Sequence, residues 1–286
     1  MKKITYNEYQ KAVNLAIDYI NAHINETVDL KSLSEIANIS AFHFHRIFKA
    51  IIGESVASYI SRLRLENVAQ RLQSSNQTLA EIAEKTGYQS QFSLSKAFKK
   101  HFGIAPSAFR NSHSYCSLQS QTPVKYFSEE LSPEIRIIEK KELVYIRIIA
   151  GYGSKNEYET AWEKLCKYAK QKGIANERNE FIGLSFDSPD VTKPEQCRFY
   201  ACITTEQALK PEGEFGRIFI EGGKYAVFTL TGSYAGLTGL YQTIYGHWLP
   251  SGEEKLRNSM PFEKYLNNPG AVEESKLLTE IFIPVK

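Results

Sequence analysis

Residues 87–110 of the chain read GYQSQFSLSKAFKKHFGIAPSAFR, and this stretch decides the fold of the N-terminal half. Leu94 and Phe98 are four residues apart, the spacing that places two apolar side chains on one face of a helix. Ser90 stands where it can cap the start of this helix, and Gly87 stands where a tight turn needs positive φ. This order of turn, cap and apolar face predicts the second part of a helix-turn-helix unit.

The same pattern occurs about 50 residues earlier, so the first half contains an internal repeat. The earlier copy has Asn38 in the turn and Ser40 as the cap, and both copies continue with a Phe-Lys pair and a glycine. An amphipathic stretch at 56–72 joins the copies and predicts a connecting helix. Two copies held by one long helix favour a pair of helix-turn-helix units over a plain helical bundle.

Positive charge is concentrated in the same half of the chain. Residues 1–110 carry 14 Lys and Arg against 9 Asp and Glu, whereas residues 111–286 carry 21 against 23. A local excess of basic residues is typical of a surface that meets a polyanion. The first half is therefore predicted to bind double-stranded DNA.

The second half has a different periodicity. Residues 111–132 are rich in Ser, Gln, Thr and Pro, and they predict a linker between domains at 1–110 and 133–286. Beyond the linker, β-branched and aromatic segments alternate with helical stretches at 157–173 and 235–249. The predicted fold is multidomain: an all-α double helix-turn-helix domain, then an α+β domain with a tandem strand-helix-strand repeat.

These motifs resemble known families. The stretch from Leu30 to Arg110 resembles the AraC/XylS family of transcription regulators, and residues 87–110 are similar to that family's C-terminal signature. GSYAGLTGLYQTIYGHWLP at 232–250 and TEIFIPV at 279–285 resemble the gyrase-inhibitor-like effector-binding domain. Together the halves resemble the Rob-like architecture. The resemblance implies a sequence-specific regulator that works with RNA polymerase, and it leaves open whether transcription is activated or repressed.

A recognition helix offers the outward residues of its N-terminal half to base edges in the major groove. Arg46 suits guanine or a phosphate, Gln91 suits adenine, and an exposed Phe42 can rest on a thymine methyl group. The predicted DNA-binding side chains are Phe42, His45, Arg46, Gln91, Phe92, Ser93, Ser95 and Lys96, at positions that contact bases in the family that the chain resembles. A monomer with two such helices is expected to bind an asymmetric site of about 20 base pairs. The sequence leaves open whether the protein is a monomer or a dimer.

The second domain is rich in aromatic residues, a subset of which is expected to line an apolar slot. Glu280 lies in a predicted strand, on the face opposite Ile281 and Ile283. The resemblance implies that a buried acid in this region pairs with cationic aromatic ligands and that the tryptophan of the WLP motif, Trp248, walls the pocket. A carboxylate among aromatic rings favours a hydrophobic cation. The predicted effector-binding residues are Tyr152, Trp248 and Glu280.

Two other functions stay open for the second domain. Some stand-alone domains of the fold that it resembles act as hydrolases, so Glu280 and Tyr152 also fit hydrolysis of a small xenobiotic. Alternatively, the domain is a docking surface without a ligand. Ser-His-Asp order, metal-ligand spacing, a P-loop and a dinucleotide fingerprint are all missing from the sequence, so we expect no enzyme activity, metal or cofactor. No apolar run approaches the roughly 20 residues that span a bilayer. The four scattered cysteines fit a reducing compartment. We therefore expect a cytoplasmic protein that does not bind membranes.

Overall fold

The computed structural model describes residues 6–111, 131–189, 191–252, 254–257 and 259–286. Contacts between Cα atoms divide the chain into two compact units. The first unit contains the N-terminal helices together with Asp187–Lys193 and Pro211–Gly216, and the second contains the rest of the C-terminal half. The predicted linker at 111–132 lies almost entirely outside the described residues, so the domain boundaries stay a prediction.

The described part of the first half is helical, as predicted. Its helices are α1 (Tyr6–Ala22), α2 (Leu30–Ala37), α3 (Ala41–Ile52), α4 (Val56–Ser74), α5 (Leu79–Lys85), α6 (Gln91–Phe102) and α7 (Pro106–Asn111). Local signals set their ends. Asp29 caps α2 by accepting the backbone N–H of Ser32 at 2.7 Å. Asn38 and Gly87 take the predicted positive φ, of 53° and 75°, in the two turns.

Helix α4 belongs to two apolar cores at once. Its first part contributes Tyr59 to a core that contains Phe48 of α3. Its second part contributes Val68 to a core that contains Phe98 of α6. A helix that serves two cores has no single apolar stripe, and this is how α4 holds both helix-turn-helix units.

The described part of the second half contains an eight-stranded sheet with helices. The strands are β1 (Glu134–Ile138), β2 (Lys141–Ile149), β3 (Phe181–Ser185), β4 (Arg198–Thr204), β5 (Phe215–Ile220), β6 (Gly223–Thr231), β7 (Phe262–Tyr265) and β8 (Leu278–Pro284). Between β2 and β3 lies α8 (Lys155–Gln171), and between β6 and β7 lie α9 (Gly236–Thr243), a π-helical turn (Ile244–Trp248) and α10 (Leu249–Ser251).

The strand order is β1-β6-β8-β7-β3-β4-β2-β5. The order is symmetrical about the junction of β7 with β3. Strand β1 lies at the edge beside the second repeat (β6, β7 and β8), and β5 lies at the edge beside the first repeat (β2, β3 and β4). This arrangement confirms the predicted α+β class and the tandem repeat. Strands β3 and β7 were not predicted. Both are short, and β3 (FIGLS) contains a glycine while charged residues take two of the four positions of β7 (FEKY), so neither has the apolar composition typical of a strand.

The pairing register assigns residues to the two faces of the sheet. Glu263 of β7 is paired with Ile281 of β8, and the next residue, Lys264, is paired with Glu280. Paired residues share a face and successive residues alternate, so Glu263 and Glu280 lie on opposite faces. Leu240 of α9 packs into the same apolar cluster as Ile281. Helix α9 therefore covers the face that carries Glu263.

Candidate DNA interface and effector site

Helices α3 and α6 bury side chains at equivalent positions. Phe44 and Phe48 of α3 are fully buried, and Leu94 and Phe98 take the same two places in α6. Since the buried positions match, the two helices turn equivalent faces outward.

The predicted DNA-binding side chains all lie on these outward faces. Six of them are exposed, whereas His45 and Ser95, at equivalent positions, are partly buried. The exposed ones are Phe42, Arg46, Gln91, Phe92, Ser93 and Lys96. Each is accessible to a partner, and contact with DNA stays a prediction for each.

An exposed aromatic ring occupies the second position of each of the two recognition helices. Phe42 is 67% exposed and Phe92 is 77% exposed. The guanidinium carbon of Arg46 lies 5.7 Å from the centre of the Phe42 ring. Exposing a phenyl ring to water is unfavourable, and its repetition at equivalent positions indicates a surface that a partner covers.

Ser93 has a structural role at the start of α6. The Ser90 backbone N–H donates to Oγ of Ser93 at 3.2 Å, and that hydroxyl donates to the Ser90 carbonyl at 2.8 Å. The two serines form a capping box, which satisfies backbone groups that a helix start leaves open. In α3, Ser40 occupies the cap position without a side-chain hydrogen bond.

Two arginines of α4 serve the fold. Arg62 is buried and donates to Glu54 at 2.5 Å and to Glu66 at 3.3 Å. Burial alone would lower the pKa of Arg62, but the hydrogen bond with Glu54 and the charges of both acids raise it. Arg64 donates to the backbone carbonyls of Ile24, at 2.7 Å, and Glu26. Arg62 therefore joins α4 to the turn that precedes it, and Arg64 joins α4 to the segment between α1 and α2.

Glu280, the acid predicted from the sequence, is buried and paired. Its carboxylate accepts a hydrogen bond from Arg136 at 2.7 Å. The ring of Trp248 meets that of Phe228 edge-on, with 5.0 Å between the ring centres. Phe228 is paired with Ile281 and so lies on the face of the sheet opposite Glu280, and Trp248 packs on that face. The structure therefore does not bring Glu280 and Trp248 together.

A second buried acid, Glu263, lies on the face covered by helices and is only 3% exposed. The Tyr265 hydroxyl donates to its Oε2 at 2.5 Å. The Tyr241 hydroxyl donates to its Oε1 at 3.3 Å, and the Ser185 hydroxyl to the same oxygen at 3.5 Å. We call these four residues the Glu263 site.

Aromatic rings from both repeats surround the Glu263 site. The ring of Trp162 in α8 lies 5.8 Å from that of Tyr265, and the ring of Tyr234 lies 5.4 Å from it. Tyr152 donates to the carbonyl of Arg198 at 3.3 Å. It is also close enough to Tyr241 to contribute to that residue's raised pKa. Of the three predicted effector-binding residues, Tyr152 is thus the one that the structure brings to the Glu263 site.

Burial is the main cause of the shifted pKa values of the acid and the phenols at this site. Burial raises the pKa of Glu263, although the hydrogen bonds from its three hydroxyl partners act in the opposite direction. Burial and the charge of Glu263 raise the pKa of Tyr241 and of Tyr265 well above the usual value. Burial also raises the pKa of Tyr245 to about 12. The phenols therefore stay protonated, and the neutral form of the acid is favoured relative to an exposed glutamate.

Sequence reasoning missed Glu263, although a weak signal exists. In the segment FEKY at Phe262–Tyr265, Glu263 and Tyr265 alternate with Phe262 and Lys264. Such alternation places the acid and the tyrosine on one face of a strand. Over four residues this alternation is too short to identify a strand.

Three further features of the described residues concern other kinds of site. A surface cleft of about 440 Å³ is lined by Asn176, Glu177, Arg178 and Glu206, none of which is a predicted binding residue. Across the described ranges, no three His, Cys, Asp or Glu side chains gather as metal ligands would. Among the described helices, none has the length and apolarity needed to cross a membrane.

Comparison with known proteins gives two family matches and several relatives. Residues 132–286 match the family described as GyrI-like small molecule binding domain, and residues 33–112 match a helix-turn-helix domain. The chain is 24% identical to the transcriptional regulator Rob of Salmonella typhimurium over 260 residues, 86% of this chain and 87% of that protein. It is 27% identical to the multiple antibiotic resistance protein MarA of the same organism over 114 residues, 40% of this chain and 90% of that protein. It is 37% identical to the HTH-type transcriptional regulator YbfP of Bacillus subtilis over 102 residues, 36% of this chain and 35% of that protein.

Proposed function

The chain belongs to the GyrI-like small molecule binding domain family, and from this premise we propose that a small molecule held by its second half controls what its first half does on DNA. The first half is a helix-turn-helix domain of the AraC type, so the resemblance to the Rob-like architecture is confirmed. The protein is a DNA-binding transcription regulator with a small-molecule binding domain.

The observation that carries the proposal is the repeated outward face of α3 and α6. Each presents an exposed phenylalanine, Phe42 or Phe92, and a cation one helical turn later, Arg46 or Lys96. In the major groove an apolar group can contact a thymine methyl, and a cation can contact guanine or a phosphate. The two helices therefore suit two successive segments of the groove.

We assign base contacts to the predicted side chains on the outward faces of both helices, with Ser93 as the exception. Ser93 is assigned to the helix cap, because its hydroxyl is engaged by Ser90. Since α4 holds both units, one chain is expected to bind an asymmetric site of about 20 base pairs, with RNA polymerase as its partner there. The assigned base-contacting residues are Phe42, His45, Arg46, Gln91, Phe92, Ser95 and Lys96.

We assign the effector's positive charge to Glu263 in place of Glu280. Arg136 already neutralises Glu280, whereas the groups that bond to Glu263 in the described chain are hydroxyls. A carboxylate among aromatic rings suits a hydrophobic organic cation with a flat ring. Tyr152 takes part as a neighbour of this site, and Trp248 supports the helical segment on the same face of the sheet.

We propose that the site binds its ligand without converting it. The sequence lacks Ser-His-Asp order, metal-ligand spacing, a P-loop and a dinucleotide fingerprint, and the domain is joined to a DNA-binding half, which suits a sensor better than an enzyme. A DNA-binding regulator works where the DNA is, which we take to be the cytoplasm.

Binding-site selection from random duplex DNA tests the first half of the proposal. The full-length chain is expected to enrich an asymmetric site of about 20 base pairs, with affinity that falls as salt rises. Protection of a single groove segment would contradict the two-groove arrangement. No salt-sensitive affinity for any duplex would overturn DNA binding.

Transcription in vitro from the selected site, measured with a panel of hydrophobic cations, tests the second half. We expect such a cation to change transcription from the selected site, and Glu263→Gln to abolish that response. If Glu280→Gln abolishes the response and Glu263→Gln does not, the assignment of the acid is wrong. Mass spectrometry of the recovered compound distinguishes binding from conversion, because a hydrolase would return a product.

A further inference from the structure

Two glutamates of the second half lie in opposite electrostatic surroundings. The carboxylate of Glu180 accepts hydrogen bonds from two ammonium groups, those of Lys141 and, at 2.7 Å, Lys264. In the part of the chain that the structure describes, the groups that donate to Glu263 are hydroxyls, those of Ser185, Tyr241 and Tyr265. Glu263 therefore has hydrogen-bond donors around it and no cation among them.

The titratable groups that face Glu263 are phenols on every element packed against it. Tyr265 is on its own strand, Tyr241 on α9, Tyr234 on the segment before α9 and Tyr158 on α8. Burial raises the pKa of each of these phenols, so all are neutral near physiological pH. None of these elements supplies a positive charge to the acid.

A buried carboxylate without a neighbouring cation loses its hydration, and no attraction to an opposite charge compensates for that loss. A neutral carboxyl group avoids this loss, because its O–H can donate to one phenol oxygen while the other phenol donates to its carbonyl. In agreement, burial raises the pKa of Glu263 above the ordinary value. Burial acts in the same direction on Glu180, but its two lysine partners hold that pKa below the ordinary value.

We propose that a cationic effector enters the Glu263 site in exchange for the carboxyl proton of Glu263, so that one proton leaves the protein for each cation bound. The inference rests on the proposed function, in which the effector is a hydrophobic cation at this site. The O–H bond of the carboxyl breaks, the proton passes to the buffer, and the carboxylate pairs with the cation. The buried site carries no net charge before or after the exchange.

The exchange gives effector binding a defined pH dependence. While Glu263 is protonated in the free protein, affinity for the cation rises about tenfold for each unit of pH. Above the pKa of the free site, no proton remains to be displaced and the affinity becomes constant. A neutral ligand of the same shape releases no proton at any pH.

The first test needs no ligand. The full-length chain is labelled with carbon-13 at Cδ of glutamate, and the carboxyl resonances are followed by NMR as pH is varied. We expect one resonance to titrate at higher pH than the others, to be missing in Glu263→Gln and to remain in Glu180→Gln. Tyr265→Phe removes a hydroxyl that favours the carboxylate, so it should move this midpoint to still higher pH. A Glu263 midpoint within the range of the exposed glutamates would overturn the exchange.

The second test counts protons by calorimetry. N-methyl-4-phenylpyridinium is titrated into the full-length chain below the NMR midpoint, in two buffers with different heats of ionisation. We expect release of close to one proton per cation, none with the neutral isostere 4-methylbiphenyl, and none from the cation in Glu263→Gln. Cation binding without proton release would overturn the exchange and leave the proposed effector class intact. Failure of the cation to bind at any pH would overturn the effector class, and the exchange with it.

Discussion

Gly183 of β3 is paired with Glu263 of the neighbouring strand β7. A Cβ atom at Gly183 would stand 2.5 Å from the hydroxyl oxygen of Tyr265 and 2.7 Å from a ring carbon of Phe199. The space that the glycine leaves is thus filled by two rings next to the acid. At the junction of the two repeats, one repeat supplies a carboxyl group and the other supplies room for the rings around it.

Gly183→Ala is therefore expected to displace Tyr265 from Glu263 and to destabilise the protein. Overpacking of this kind costs about 1–3 kcal/mol, more than the roughly 0.5–1 kcal/mol that replacing a strand glycine by alanine usually gains. Urea unfolding of the full-length chain measures the change. A Cβ at Gly246 meets nothing within 4 Å, so Gly246→Ala is the matched control and should not destabilise. Equal stability of the two variants would contradict the close contact.

Glu263 should make stability depend on pH in an unusual direction. Because its pKa in the folded state is raised above the ordinary 4.5, its favourable contribution is complete at low pH and is lost as pH rises through the folded value. The free energy of unfolding of the wild type minus that of Glu263→Gln should therefore fall with pH above 4.5 and then become constant. Glu180 gives the opposite sign, since its pKa is lowered and its contribution is lost as pH falls. A difference for Glu263→Gln that does not vary with pH would show that folding does not raise the pKa of this acid.

The exposed rings of the recognition helices should matter for DNA and not for folding. Phe42→Ala and Phe92→Ala should each change the free energy of unfolding by no more than about 0.5 kcal/mol, because the rings are largely in water. Each should weaken binding to the selected site by about 1.5–3 kcal/mol if DNA covers the ring. Tyr6, 66% exposed on α1, is the control, and Tyr6→Ala should leave DNA affinity unchanged. Fluorescence anisotropy with labelled duplex measures the affinities.

Arg46→Ala separates base reading from phosphate contact. If Arg46 reads a base, its loss should cost about 1–3 kcal/mol on the selected site and much less on unrelated DNA. Lys170→Ala removes a charge from α8 in the other half of the chain, and it serves as the control for net charge. Uniform weakening on all duplexes would make Arg46 a phosphate contact.

Arg62 should be among the most sensitive positions for folding. Arg62→Met leaves Glu54 and the buried Glu66 without their shared cation, a change that typically costs about 3–5 kcal/mol. Removing both acids as well, in Arg62→Met/Glu54→Gln/Glu66→Gln, should recover most of the loss. Urea unfolding tests both variants, and a mild effect of Arg62→Met alone would mean that water reaches the two acids.

The first half of the fold was predictable because its signals are local. Asn38 and Gly87 mark the turns, Ser90 marks a helix start, and the Phe48 and Phe98 faces follow from spacing within one helix. Each of these features depends on residues within a few positions of one another. The long helix α4 was likewise evident from its apolar residues.

The effector site was less predictable because its geometry is not local. Alternation along β8 predicts that the side chains of Glu280 and Ile281 lie on opposite faces of the sheet. It does not show which of these faces the helices cover. Only the pairing of β7 with β3 and β8 brings Glu263 under α9. The bond of Arg136 to Glu280 joins residues 144 positions apart, a separation that no periodicity in the sequence reveals.

The division of α4 between two cores has a consequence for how the DNA-binding half melts. If the core around Phe48 comes apart, the first turns of α4 lose their support and fray, and the core around Phe98 then loses the helix on which it is built. A partly formed helix is itself unstable in water. We therefore expect the two helix-turn-helix units to unfold as one cooperative unit, without an intermediate in which only one of them is folded.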